Sequence, residues 1–84
     1  MASARVNIPE DLSGLLHSEW ERVIREAGYS SQDAEIVRRY IVAKTPQIDV
    51  AVELDVARST IVRRLPQIYD RARQTAMKLH IISI

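Results

Sequence analysis

The chain has no cysteine in its 84 residues. That excludes disulfides and thiolate metal sites and fits a reducing cytoplasm. Glycine occurs only at Gly14 and Gly28, so no glycine-rich loop is available to cradle a phosphate. No run approaches the ~18 consecutive apolar residues of a membrane span, and the opening MASARVNIPEDL lacks the apolar stretch of a secretion signal. His17 and His80 stand apart from any carboxylate or cysteine at ligand spacing, so no metal is expected. Ser13, Ser59 and Ser83 have no neighbours that would activate a nucleophile. Internal repeats, low-complexity tracts and linkers are also missing. The expectation is one soluble cytoplasmic domain with a modest core, no catalysis, no cofactor, no membrane partner and no small-molecule substrate.

Charge is present and unevenly placed. Residues 1–35 carry seven acids and three bases, a net of −4, whereas residues 36–84 carry nine bases and four acids, a net of +5. The overall +1 hides this asymmetry. A basic half in a small soluble chain points toward a polyanionic partner, unless it is simply a solvated arginine-rich helix face.

Apolar spacing predicts helices. Leu12, Leu15, Leu16, Trp20, Val23, Ile24 and Ala27 recur at helical intervals from Pro9 to Ala27, with a weak point at Ser13-Gly14. Trp20 reads as core, and Gly28 sits where a left-handed residue ends a helix. Ser30 or Ser31 then caps a second helix over about 31–44, with Asp33 and Glu35 in its first turn and an apolar stripe of Ile36, Val37, Tyr40 and Ile41.

The next segment, QIDVAVELDV from Gln47 to Val56, alternates apolar and polar residues as a half-buried strand would. Thr45-Pro46 before it is nevertheless a helix start, with threonine capping and proline in the first turn. No hairpin turn or second alternating run offers a strand partner. On a helix, Val50, Ala51 and Leu54 share one face, while Asp49 and Glu53 share another. A helix over about 46–54 is therefore favoured. Beyond it, Ile61 and Leu65 fall on one face, and Ser59 and Arg63 on the opposite one, flanked by Thr60 and Val62. Pro66 is expected to stop or kink that helix at about 58–65, with a separate C-terminal helix over about 66–80. The terminal IISI has three options: fraying, packing back on the core, or pairing with Arg5-Val6-Asn7-Ile8 of this or another copy.

A helix, a three-residue turn and a second helix, with the small Ala51 where the two approach, hold the second helix outward. The residues VAVELDVARSTIVRRL, preceded by SSQDAEIVRRYIVAK, resemble the helix-turn-helix family, specifically the type in region four of bacterial sigma factors and in sporulation and response regulators. The resemblance covers roughly residues 30–72. It implies an all-α fold of about five helices around a central tri-helical helix-turn-helix, acting as a sequence-specific transcriptional regulator on double-stranded DNA. The recognition helix would lie in the major groove. Matched by position, Arg58, Ser59 and Arg63 fall where that family touches bases, and Gln47 and Thr60 where it touches phosphates. Lys44, Arg64, Arg71 and Arg73 would mainly neutralise phosphates.

Some residues depart from the family pattern. Asp55 stands where the turn usually has glycine, and Ala57 replaces the usual serine or threonine cap, at a cost of about 1 kcal/mol. So small a module makes few contacts, so that specific binding calls for a homodimer on a two-fold site or a larger partner such as RNA polymerase. The alternative class is a protein-interaction module on the same scaffold, an antiactivator or polymerase-associated adaptor, motivated by the acidic first helix, Asp49, Glu53 and the apolar tail.

Overall fold

The computed structural model describes residues 8–82, and every regular element among them is helical. In chain order these are α1 (Glu10–Ser13), α2 (His17–Ala27), α3 (Ser31–Ile36), continued without a break by a π-helical stretch (Val37–Val42), α4 (Gln47–Leu54) and α5 (Arg58–Lys78). The architecture is thus all-α with five helices, as the spacing of apolar residues predicts. No helix of the described residues is long and apolar enough to cross a membrane.

Helix α5 is the axis of the molecule and packs against all four others. Its buried residues Ile61, Leu65, Ile68, Ala72 and Ala76 recur at three- and four-residue intervals, so they form one stripe. Leu12, Trp20, Val23, Ile24, Ile36, Val37, Tyr40, Ile41, Val50 and Ala51 join that stripe in a single buried core.

Outside the segment 47–56, three boundaries differ from the sequence expectation. The first concerns Pro66, which neither stops the helix nor separates a recognition helix over 58–65 from a C-terminal helix over 66–80: α5 runs through it. Pro66 lies on the exposed side, where water can reach the carbonyl that its missing N–H leaves unbonded. Leu65 before it and Ile68 after it are both buried in the same core. Continuity of that stripe outweighs the local cost of the proline. The second is that the first predicted helix is two helices, because Leu16 is extended (φ −76°, ψ 161°) and starts α2, its N–H donating to Glu19 Oε1 at 2.8 Å. The third is that the helix expected over 31–44 ends at Val42, after a widened turn in which Ala43 N–H reaches back to the Arg38 carbonyl. The wider turn brings Val37, Tyr40 and Ile41 together on the buried side.

The disputed segment is helical from Gln47 to Leu54. Its start is shifted by one residue: Pro46, not Thr45, is the capping position, and the Pro46 carbonyl accepts from the N–H groups of Asp49 and Val50. A strand would have put Ile48, Val50 and Val52 on one face. Instead Val50 and Ala51 are buried, while Ile48 and Val52 are 62% and 75% exposed. Elsewhere local expectations hold: Ser30 Oγ accepts from Asp33 N–H at 3.1 Å, and Gly28 ends α2 with φ 71°. Ile81 and Ile82 pack half-buried against the core. The remaining tail residues Ser83 and Ile84 lie outside the described residues, as do Arg5, Val6 and Asn7 of the candidate pairing segment, whose last residue, Ile8, packs half-buried against the core.

Candidate nucleic-acid interface

The turn between α4 and α5 is three residues long. Asp55 adopts a left-handed conformation (φ 57°, ψ 47°), which aspartate tolerates better than most residues other than glycine. Val56 N–H bonds to the Ala51 carbonyl at 3.0 Å, which closes the end of α4. Ala57 is extended and begins α5 without any side-chain cap, and no acid occupies the first turn of α5. Buried Ala51 leaves room for the two helices to approach. The N-terminus of a 21-residue helix is thereby held at the surface with its first N–H groups uncapped and its positive dipole end uncompensated.

Arg58, Ser59, Val62 and Arg63 line one open depression on this end of α5. Arg58 is steadied from α4: its Nε donates to Gln47 Oε1 at 3.3 Å, and Gln47 Nε2 donates in turn to the Tyr40 hydroxyl at 3.3 Å. Tyr40 is 1% exposed, so this chain of contacts ties Arg58 to the core. Gln47 therefore lies beside the depression and orients an arginine. Arg63 is exposed and has no carboxylate partner among the described residues. Thr60 is half-buried and does not line the depression. Lys44 is exposed in the loop before α4 (φ 63°), with its Nζ donating to the Ile41 carbonyl at 3.2 Å.

The other arginines on α5 are occupied internally, which changes what was expected of them. Arg64 makes a bidentate pair with the buried Asp33, at 3.1 and 2.6 Å. That hydrogen bond and the carboxylate's charge raise the guanidinium pKa further. Arg71 donates to the Ala27 carbonyl at 2.9 Å, satisfying the C-terminal end of α2. Arg73 pairs with Asp11 through two nitrogens and with Asp70 at 3.2 Å. The Arg73 hydrogen bond holds the Asp11 carboxyl below its usual range. On the supporting helix, Arg38 faces Glu21 and Glu35, and Arg39 bridges Glu35 and Glu53. The acidic half of the sequence thus neutralises much of the basic half. Arg64 and Arg71 face the cleft beside Tyr29 and Asp33, on the opposite flank of α5 from the depression.

Two features escaped the sequence reading. Val62 is a member of the exposed patch and not merely its neighbour. The pairs Asp11–Arg73 and Asp33–Arg64 join residues 62 and 31 positions apart, beyond any local spacing rule. Among the described residues, no group of three or more His, Cys, Asp or Glu side chains is gathered to hold a metal. Comparison of the chain with protein-family models, with curated proteins and with solved structures finds no match.

Proposed function

We propose that this domain binds double-stranded DNA as a sequence-specific transcriptional regulator, with the N-terminal half of α5 in the major groove. One observation carries this reading. Internal carboxylates pair with Arg38, Arg39, Arg64 and Arg73, whereas Arg58 and Arg63 have none among the described residues and, unlike the similarly unpaired Arg22 and Arg25 on α2, line the depression at the N-terminal end of α5. Two arginines left unmatched beside an uncapped helix N-terminus form a cationic, donor-rich end that suits phosphate and base edges alike. Arg58 and Arg63 can each pair bidentately with guanine O6 and N7, and Ser59 can serve any base. Gln47, Thr60, Lys44 and the free N–H groups of α5 would then position the helix on the backbone. A homodimer or a polymerase partner would supply the second set of contacts that one module lacks.

Selection of duplexes from a random pool at moderate salt tests the reading. An enriched sequence that loses binding on Arg58→Ala or Arg63→Ala supports it, and a pool that stays random refutes it.

A second reading has its own observation. Ile48 and Val52, one turn apart on α4, are the most exposed large apolar residues of that helix, and Asp49 and Glu53 beside them are unsuited to phosphates. They favour a protein-docking role on the same scaffold. Ile48→Ser with Val52→Ser, leaving duplex selection intact while abolishing function in the cell, would assign that face to a protein partner.

A further inference from the structure

The depression on α5 is not purely polar. Val62 is 49% exposed within it, between Arg58 one turn earlier and Arg63 next in sequence. The core does not need this side chain, since Ile61 and Leu65 already fill the buried stripe. Helix propensity does not favour a β-branched residue on a solvent face either. Pro66, exposed one turn further along, extends the apolar character of the same strip.

Resting on the DNA-binding reading above, we infer that Val62 reads the 5-methyl group of a pyrimidine, and that the preferred site carries such a methyl next to a guanine taken by Arg58 or Arg63. The spacing supports this. Five residues of helix advance ~7.5 Å, about two base-pair steps at ~3.4 Å each, so both arginines can reach bases on one stretch of groove with Val62 above the base edge between or beside them. In the major groove the one apolar group on a base edge is the C5-methyl. An isopropyl group without hydrogen-bonding capacity discriminates for a methyl and against the bare C5–H of cytosine or uracil. Thymine and 5-methylcytosine present this same chemistry.

The test uses the full chain and the duplex it selects. Each thymine is replaced in turn by uracil, and each cytosine by 5-methylcytosine, and Kd is measured for the wild type, Val62→Ala and Val62→Thr. One thymine-to-uracil change should weaken the wild type by about fourfold, the scale expected for one buried methyl. If the site's pyrimidine is a cytosine, the 5-methyl form should instead tighten binding by a similar factor. Val62→Ala should lose this dependence, and Val62→Thr should reduce it. Because Val62 is exposed, both variants should melt like the wild type, and circular dichroism checks that. The inference is overturned, with the arginine reading left standing, if a selected duplex responds to Arg58→Ala or Arg63→Ala but to no methyl change, or if Val62→Ala keeps the methyl preference. Failure to select any duplex overturns both.

Discussion

Replacing Arg64 by alanine separates the two kinds of arginine on α5. Arg64 lies next to Arg63 in sequence, and charge alone would give both the same role. In the fold, Arg64 holds Asp33, whose side chain is only 9% exposed, through two hydrogen bonds, while its own side chain is 36% exposed. Removing one partner of a fully buried pair costs about 3–5 kcal/mol, because the other charge is left desolvated. Here water already reaches the guanidinium and screens the pair, so about 2 kcal/mol is the better figure. For a domain of this size, that lowers Tm by about 8–16 °C. Arg63→Ala, at an exposed position without an internal partner, should change stability by no more than about 0.5 kcal/mol. Thermal unfolding followed by circular dichroism at 222 nm compares the two directly. The double variant Asp33→Asn with Arg64→Ala should recover part of the loss, since no unpaired carboxylate then remains. If Arg64→Ala melts like the wild type and weakens duplex binding as much as Arg63→Ala, the division of arginines into structural and interfacial is wrong.

Pro66→Ala should stabilise the domain by about 2 kcal/mol, since α5 runs through the proline and alanine restores a helical N–H; a lower denaturation midpoint would mean that the proline shapes the packing. Asp55→Gly should gain about 0.5–1 kcal/mol by relieving the left-handed turn, and Asp55→Val should lose more than about 1 kcal/mol, both read from urea midpoints. Burial, and then the nearby Asp33 charge, push the Tyr29 phenol above its ordinary value of 10.0, and burial does the same to Tyr69, up to about 12. The fold therefore disfavours both phenolates. Their stabilisation is complete below pH ~10 and is lost as the pH rises from there toward the folded-state values. Tm should fall above pH ~10, and Tyr29→Phe should reduce that fall while costing about 1 kcal/mol at neutral pH for its hydrogen bond to the Ile68 carbonyl. An unchanged alkaline fall in Tyr29→Phe would refute this.

The helices were legible in the sequence because they rest on local physics. Core spacing in α2 and α5, the Ser30 cap, the left-handed Gly28 and a turn at Asp55 all follow from a few neighbouring residues. QIDVAVELDV could be resolved because Pro46 starts a helix and no strand partner exists, although Ile48 and Val52 keep a strand-like pattern by facing solvent. Pro66 misled because a proline's cost is local, whereas the gain from an unbroken stripe between Leu65 and Ile68 is tertiary. The patch was half legible. Ser59 and Arg63 follow from helical phase and Arg58 from the helix-turn-helix resemblance, but whether a basic side chain is committed depends on partners such as Asp11, Asp33 and the Ala27 carbonyl, far away in sequence. Charge asymmetry between the two halves suggests either a polyanionic partner or a solvated arginine-rich face, and neither reading anticipates that much of it is the two halves binding each other.

The most direct measurement of the central claim is the ratio of affinities for a selected duplex and a scrambled one, taken for the wild type and for Arg58→Ala with Arg63→Ala at one fixed salt concentration. Two bidentate base contacts predict that the double variant loses about a hundredfold or more of that ratio while its Tm stays near the wild-type value. An unchanged ratio in a folded double variant would contradict the account.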